Sequence, residues 1–235
     1  MTPPRPSLPL SGAFNEEHAK AYDTQFSALS GVQACIHLLT DAYLSRLPED
    51  ARILIAGAGT GAEARYLAPR HPGWQFTLVD PSAPMLAIAR RHAETEGFAE
   101  RCSFHEAYVS ETPVEAHDGA TSLLVSHFLT DAGARQSYFA DIAARLKPGA
   151  RFINVDLSTD NDGPSFEKIM GLWTDIFRLA GQTEESRANY LKAYGRQFAA
   201  HGPQQVAQMI EAGGFTPPAP VFQAALIRGW TATRA

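Results

Sequence analysis

Short apolar segments alternate with helix-forming segments between residues 51 and 157, and this alternation restricts the fold more than any other property of the sequence. Segments such as RILIA, residues 52–56, are apolar throughout, which is typical of strands buried on both faces of a parallel sheet. The segments between them carry apolar residues at helical spacing. The pattern predicts an α/β fold, a doubly wound, mostly parallel seven-stranded sheet with helices on both faces.

The pattern changes in the last third of the chain. Residues 158–205 are mostly helical in pattern, and we expect this insertion to form a lid. Four apolar residues within it share one helical face, which suits core packing, an apolar acceptor pocket or a subunit interface: Met170, Trp173, Ile176 and Phe177. His201, before Gly202, is expected at the C-terminal end of a helix. Two closing strands, PVFQAA and IRGWTATR, lie too close together for a crossover helix and should be antiparallel.

The N-terminal part of the chain has two sections. Residues 1–13 are rich in proline and predict a disordered tail. Residues 14–47 predict two N-terminal cap helices with a break at Ser30-Gly31. We expect residues 14–235 to form a single domain, because a chain of this length can bury one sizeable core.

Composition and charge exclude several classes of protein. A formal charge of −5 and a pI near 5.9 argue against a surface built for a polyanion, although a local basic patch leaves nucleic acid not excluded as a partner. No apolar run approaches the roughly 20 residues that cross a bilayer, so we expect no membrane partner. Cys35 and Cys102 lie far apart and suggest neither a disulfide framework nor a metal site. A cytoplasmic location is the expectation.

A glycine-rich turn, AGAGTG, follows the first strand of the alternating region. Glycine at residues 57, 59 and 61 removes side chains and lets a ligand approach the backbone, whose N–H groups we expect to point at an open crevice. Gly57-x-Gly59-x-x-Ala62 fits a dinucleotide-binding turn, and Gly57-x-Gly59-x-Gly61 fits S-adenosylmethionine enzymes. No Gly-Lys-Ser/Thr follows, which excludes a Walker phosphate loop. A turn that serves only strand-to-helix packing is the remaining interpretation.

Asp80 ends the next predicted strand, about 20 residues after the glycines. A carboxylate at this strand tip can accept hydrogen bonds from two ribose hydroxyls. An Asp before a Pro is also common in turns and at helix N-caps. The glycines at this spacing favour the ribose-binding interpretation over the turn.

The chain resembles the class I S-adenosylmethionine-dependent methyltransferases over almost its whole length. The resemblance is carried by the segments AGAGTG, LVDPSAPML, HEA, VSHFL, RLKPGARFINVDL and the closing strand pair. It implies S-adenosylmethionine as the cofactor, methyl transfer to a small or medium acceptor, and a homodimer. It also implies a cofactor-binding set: Gly57, Ala58, Gly59 and Gly61 at the methionyl part, Asp80 at the ribose, Ser82 and Met85 beside the adenosine, Glu106 and Ala107 at the adenine, and Ser126 near the sulfonium.

Two residues are candidates for catalysis. His127 follows Ser126 at the tip of the fourth strand, and histidine titrates near neutrality, so it suits a general base; packing over the cofactor is the alternative. Tyr22, followed by Asp23, resembles the tyrosine of the opening helix that covers the cofactor in many of these enzymes. An amphipathic helix packed on the sheet is the alternative for this pair.

One departure from the family pattern lies two residues before the first glycine. The family has Asp or Glu at this position, which helps to hold the methionyl ammonium, whereas this chain has Ile55. Within the family, FNEEHAKAYD and VFQAALIRGWTATR resemble the opening and closing segments of carboxy-S-adenosylmethionine synthases, which serve tRNA modification. The glycine loop and the fourth-strand loop differ from theirs. That synthase activity, an NAD(P)-dependent oxidoreductase and a non-catalytic cofactor-binding protein remain the alternatives.

Overall fold

The computed structural model describes residues 29–179 and 181–235. Seven strands form one sheet in the order β3-β2-β1-β4-β5-β7-β6. The strands are β1 (Arg52–Ala56), β2 (Gln75–Asp80), β3 (Cys102–Glu106), β4 (His117–Leu123), β5 (Leu146–Leu157), β6 (Ala219–Ala224) and β7 (Ile227–Thr233). The helices are α1 (Ser30–Leu44), α2 (Ala62–Leu67), α3 (Ala83–Thr95), α4 (Ala132–Ala143), α5 (Phe166–Leu179), α6 (Glu184–Ala193) and α7 (Pro203–Ala212).

The strand directions confirm the predicted fold class. Strands β1 to β5 pair in parallel, and β7 runs antiparallel to both β5 and β6. The order reverses between β1 and β4, because the chain moves outward from β1 to β3 and then returns to the other side of β1. Open α/β sheets bind ligands at such a reversal, beyond the carboxyl ends of the strands.

Helices cover both faces of the sheet, as the two faces of β1 show. Leu54 packs in a cluster with Phe139 of α4 and Ile210 of α7. Ile53 packs on the opposite face with Leu44 of α1, in the cluster that also holds α2 and α3 residues. The alternation explains why the strand is apolar throughout.

The insertion packs on the outer half of the sheet. Met170, Trp173 and Phe177 of α5 are buried in a cluster with Ile153 of β5 and Ile227 of β7, and Ile176 is partly buried against it. The apolar stripe is therefore core. Trp173 Nε1–H also donates to the Tyr190 hydroxyl of α6 at 2.7 Å, which ties the two insertion helices together.

Several predicted boundaries were wrong. The expected break at Ser30-Gly31 lies inside the first turn of α1. The segment EESRANYLKAYGRQFAA, residues 184–200, predicts one helix, but α6 ends at Ala193, two residues before Gly195, whose φ is 78°. The sequence segment TSLLVS, residues 121–126, predicts a strand, whereas β4 spans His117–Leu123; an irregular register at His117/Gly119 accommodates Asp118-Gly119, a pair that usually indicates a turn. The tail of residues 1–13 and the first cap helix lie outside the described residues.

Candidate active site

The three glycines of the turn after β1 have different neighbours. All three have positive φ: 78° at Gly57, 52° at Gly59 and 82° at Gly61. A Cβ on Gly57 would come within 2.4 Å of the Val125 side chain, and a Cβ on Gly61 would meet Ala89 of α3 at 3.0 Å. A Cβ on Gly59 would meet nothing within 4 Å. Two glycines therefore permit close packing, whereas Gly59 leaves an open side that a ligand can fill.

The backbone N–H groups of this turn differ from the prediction. Gly57 and Ala58 both donate to the Val79 carbonyl, at 2.8 and 3.0 Å, and Gly61 donates to the Ala58 carbonyl at 2.9 Å. Gly59 donates to the Asp80 carboxylate. These four groups have protein acceptors and do not point at the crevice. A ligand can therefore come close to the backbone of the turn at Gly59. These four N–H groups do not form an anion-binding nest of the kind that holds phosphates.

Asp80, the predicted ribose-binding residue, contacts the glycine turn. Its Oδ2 accepts from the Gly59 N–H at 2.9 Å, and its Oδ1 accepts from the Ser82 N–H at 2.8 Å. Burial raises the pKa of Asp80, and these two hydrogen bonds oppose the rise. Each carboxylate oxygen keeps a further lone pair, so the group can still accept hydrogen bonds from a diol.

The residues predicted beside an adenosine surround this carboxylate. Ser82 is the N-cap of α3, and its hydroxyl accepts from the Met85 N–H at 3.4 Å. Both side chains are buried. Glu106 pairs in register with Asp80 on the neighbouring strand and is exposed, while the Ala107 N–H donates to the Asp80 carbonyl at 3.3 Å. The structure thus brings the β2 and β3 members of the predicted set to one edge of the sheet.

Ser126 and His127 lie in a buried polar network beyond β4. Asp156, at the end of β5, accepts from the Ser126 hydroxyl and from the His127 backbone N–H, the latter at 3.0 Å. His127 Nδ1 also contacts the Asp156 carboxylate. Arg135 of α4 places Nη2 2.9 Å from Asp156 and donates from Nε to Ser126 Oγ at 2.8 Å. His127 Nε2 makes no hydrogen bond to a residue in the described part of the chain.

Charge controls the state of this network. Burial would raise the pKa of Asp156, but the Arg135 guanidinium, His127 and the hydrogen bonds from His127 and Ser126 lower it to about 2. A carboxylate fixed at Nδ1 holds the imidazole in the tautomer whose Nε2 can accept a proton. The ring is 6% exposed and contacts Phe128 and Phe198, with ring centroids 4.3 and 6.3 Å away.

His201 does not end a helix, which corrects the sequence-based prediction. It forms a bridge with Ser158, and its Nδ1 lies 3.0 Å from Arg135 Nη1. The next residues back along the chain also reach the site, since the Ala199 N–H donates to the His127 carbonyl at 2.8 Å. The insertion is therefore attached to the polar network at the β4 and β5 ends.

Sequence reasoning did not single out Asp156 or Arg135 as site residues. A carboxylate in the apolar strand ARFINVDL was a usable signal, because a buried charge needs a partner. Arg135 gave no such signal, since arginine in a helix is usually exposed. Tyr22 and Asp23 lie outside the described residues. Within residues 29–179 and 181–235, no three His, Cys, Asp or Glu side chains form a group that could hold a metal ion.

Comparisons with known proteins agree with this geometry. Residues 53–149 match the family model described as a methyltransferase domain. The chain is 43% identical over 76 residues to the release factor glutamine methyltransferase of Chlorobaculum tepidum, covering 32% of this chain and 26% of that protein. It is 32% identical over 116 residues to the demethylmenaquinone methyltransferase of Thermus thermophilus, covering 49% of this chain and 50% of that protein.

The fold is also that of solved methyltransferases. The structure of human N-acetylserotonin methyltransferase in complex with SAM superposes with a TM-score of 0.67 at 18% identity, covering 99% of this chain and 60% of that chain. The matches to curated relatives span between 23% and 50% of those proteins' lengths. The chain therefore shares the sheet topology of solved methyltransferases, and its residues 53–149 match a methyltransferase domain.

Proposed function

We propose that the crevice at the ends of β1, β2 and β4 binds S-adenosylmethionine and that the protein transfers its methyl group to a small or medium acceptor. The observation that carries this proposal is the pairing of Gly59 with Asp80. The open side of the glycine lies next to a carboxylate whose remaining lone pairs can bind a ribose diol. The match of residues 53–149 to a methyltransferase domain supports the same cofactor.

Methyl transfer from a sulfonium needs little covalent help from the protein. The bond between the methyl carbon and sulfur breaks as the acceptor atom attacks in line, and neutral S-adenosylhomocysteine leaves. The protein positions the two reactants and excludes water. If the acceptor carries a proton, His127 Nε2 is the group that can remove it, while Asp156 holds Nδ1. Asp156 and Arg135 then act as positioning residues.

The geometry disfavours the dinucleotide alternative. A dinucleotide places its pyrophosphate at the N-terminus of the helix after the glycine turn. Here the second residue of that helix is Glu63, a carboxyl that is 7% exposed, and four of the turn's N–H groups are already bonded. A diphosphate would lack these four donors.

Calorimetric titration of the protein with S-adenosylhomocysteine, with NAD as the control ligand, tests the proposal. We expect binding of the first in the micromolar range and none of the second. Binding of NAD alone would favour the oxidoreductase, and binding of neither would contradict the proposed cofactor site. Consumption of S-adenosylmethionine with a pool of acceptors separates an enzyme from a non-catalytic binding protein.

The group that is transferred and the acceptor that receives it need separate tests. The likeness to carboxy-S-adenosylmethionine synthases is tested by the mass of the cofactor after incubation with prephenate. The relatives' names include both a small quinone precursor and a protein release factor, so the acceptor is to be found by screening. None of the described helices is long and apolar enough to cross a membrane. We keep the cytoplasmic location as a prediction.

We further propose a homodimer that uses the insertion. Three large apolar side chains on α5 and α6 are 47% to 78% exposed: Leu172, Leu179 and Leu191. Such exposed apolar residues on neighbouring helices support a subunit contact. Light scattering of the wild type and of Leu172→Glu tests it, and a wild-type monomer would contradict it.

A further inference from the structure

Glu63 is a buried carboxyl directly below the glycine turn. It is the second residue of α2, and it is 7% exposed. Its carboxyl lies beside Thr121 of β4, whose hydroxyl acts to lower the pKa of Glu63. Thr121 pairs in register with Ile55 of β1, two residues before Gly57. Glu63 therefore reaches the same level of the sheet as Ile55.

One carboxyl oxygen of Glu63 has no hydrogen-bond partner among the described residues. Its Oε1 is fully buried without a hydrogen bond, and so is Thr121 Oγ1, which places the hydroxyl near the carboxyl but outside ordinary hydrogen-bond geometry. A buried polar atom without a partner costs free energy, so such atoms are rare in native proteins. An unsatisfied carboxyl at a ligand crevice indicates that the ligand supplies the partner.

The other carboxyls at this edge are differently placed. Asp156 is paired with Arg135, Asp80 accepts from two backbone N–H groups, and Glu106 is exposed to solvent. Glu63 alone among these four combines burial with a missing partner. It lies at the β1 and β4 end of the crevice, at the opposite side of the glycine turn from Asp80 and Glu106.

The charge of Glu63 depends on what surrounds it. Burial raises the pKa of Glu63 to about 8, and the Thr121 hydroxyl opposes the rise. Burial raises the pKa of Tyr138 of α4, and Glu63 raises it further, as Asp156 and Asp80 also do. None of these groups is a cation that could stabilise the ionised form of Glu63. On its own helix, Arg65 is engaged with Glu96. No cation in the described part of the chain contributes to its pKa, so Glu63 is mostly protonated at neutral pH.

We propose that Glu63 binds the α-ammonium group of the methionyl part of S-adenosylmethionine and replaces the acid that Ile55 does not supply. This inference rests on the proposed function, because it assumes that the crevice holds this cofactor. Among the groups of the cofactor, the ammonium is the cation that also donates hydrogen bonds, and Glu63 has a free acceptor for one. Glu63 is then a cofactor-binding residue at the end opposite to Asp80.

A released proton is the measurable consequence. The carboxyl must ionise to pair with an ammonium, so binding at neutral pH releases close to one proton from Glu63. The affinity for S-adenosylhomocysteine should rise with pH and level off above about 8. A cofactor analogue without the amino-acid part should show neither effect through Glu63.

The experiment compares two ligands on three proteins. S-adenosylhomocysteine carries the ammonium, whereas 5′-methylthioadenosine lacks the amino-acid part and reports on the adenosine site alone. Each is titrated by calorimetry into wild type, Glu63→Gln and the control Glu94→Gln, at pH 7 in two buffers of different ionisation enthalpy. Glu94 is an exposed acid on α3 and should behave as wild type.

We expect Glu63→Gln to bind S-adenosylhomocysteine about 10- to 100-fold more weakly, as for loss of a charge-assisted hydrogen bond, with 5′-methylthioadenosine unchanged and the proton release lost. Equal weakening of both ligands would overturn the inference, because it would mean a structural role. Unchanged binding would overturn it too. If Glu63→Gln does not fold, absence of proton release from the wild type decides against the inference. Failure of the wild type to bind either ligand would instead reject the proposed function itself.

Discussion

Two buried carboxyls at the same edge of the sheet are in opposite situations. Asp156, at the end of β5, has Arg135, His127 and Ser126 around it, and its pKa falls to about 2. Glu63, at the start of the helix after the glycine turn, has no cation beside it among the described residues and one carboxyl oxygen without a hydrogen bond, and burial raises its pKa to about 8. The burial is similar, so the neighbouring groups set the charge.

The difference separates two kinds of site construction. The β4 and β5 end is assembled before any ligand arrives, which suits the positioning of a histidine. At the glycine-turn end, Glu63 Oε1 has no hydrogen bond among the described residues, and the proposed cofactor would supply one. A site whose hydrogen bonds are already formed does not have to rearrange when the ligand binds. A buried polar atom without a partner makes the free protein less stable, and a ligand that supplies the partner stabilises it.

The largest effect is expected from Asp156→Asn. This change leaves the Arg135 guanidinium buried without its anion, which should cost roughly 3–5 kcal/mol of unfolding free energy. Urea unfolding measures it. The matched control is Asp175→Asn, which breaks an exposed pair with Arg178 and should cost less than about 1 kcal/mol. Similar losses in both variants would mean that the Asp156 network is not preferentially stabilising.

Gly57→Ala should have the next largest effect. Alanine at this position must adopt the left-handed backbone conformation that glycine has, and its methyl group collides with Val125. We expect the free energy of unfolding to fall by about 2–4 kcal/mol. Gly59→Ala meets no neighbour and should lose about 1–2 kcal/mol from its backbone alone. Thermal unfolding of both variants tests whether packing shapes this turn. Gly59→Ala should also weaken the binding of S-adenosylhomocysteine. Equal stability of the two variants would contradict the clash with Val125 that is expected for Gly57→Ala.

Asp80→Ala should weaken the cofactor complex by about 1–3 kcal/mol, because hydrogen bonds to a charged acceptor are lost. The variant should bind both S-adenosylhomocysteine and 5′-methylthioadenosine more weakly, since both carry the ribose. This pattern differs from that of Glu63→Gln, which should affect only the first. Calorimetry with the two ligands therefore distinguishes the ribose end from the ammonium end, and unchanged binding would show that the cofactor has been placed wrongly.

The smallest effect concerns pH. The unfolded chain loses the Glu63 proton near its ordinary pKa of 4.5, whereas the folded protein keeps it up to about 8. Between these values the folded state binds more protons, so this residue lowers stability by about 1 kcal/mol for each pH unit of increase. Glu63→Gln should remove that contribution. Urea unfolding at pH 6 and pH 7 checks it, and an equal pH dependence in wild type and variant would exclude the assigned pKa.

The sequence was sufficient for the sheet and for part of the crevice. Strand β1 has the predicted limits, because RILIA is bounded by clear turn residues. The closing hairpin was recognisable from the short gap between its strands. The spacing of the glycines and Asp80 placed both at the ends of neighbouring predicted strands, and the structure has the Gly59 N–H 2.9 Å from the Asp80 carboxylate.

The remaining features depend on burial, which a single sequence does not reveal. Glu63 has the pattern of an ordinary acid in the first turn of a helix, where it complements the helix dipole. Only the folded structure shows that its carboxyl is buried, beside Thr121 of β4. Arg135 and His201 are separated by 66 residues and meet through tertiary structure. Such pairs have no local signature, so sequence reasoning missed them.

The attachment of residues 198–201 to His127 limits how the protein could be re-engineered. Phe198 contacts the imidazole of His127, and the Ala199 N–H donates to the backbone carbonyl of His127. His201 Nδ1 lies within hydrogen-bond distance of Arg135. A chimera that exchanges the whole insertion would also exchange these contacts and displace the histidine. A graft that ends at residue 197 leaves them in place. A swap of segments within the insertion should therefore keep residues 198–201 with the part of the chain that carries His127 and Arg135.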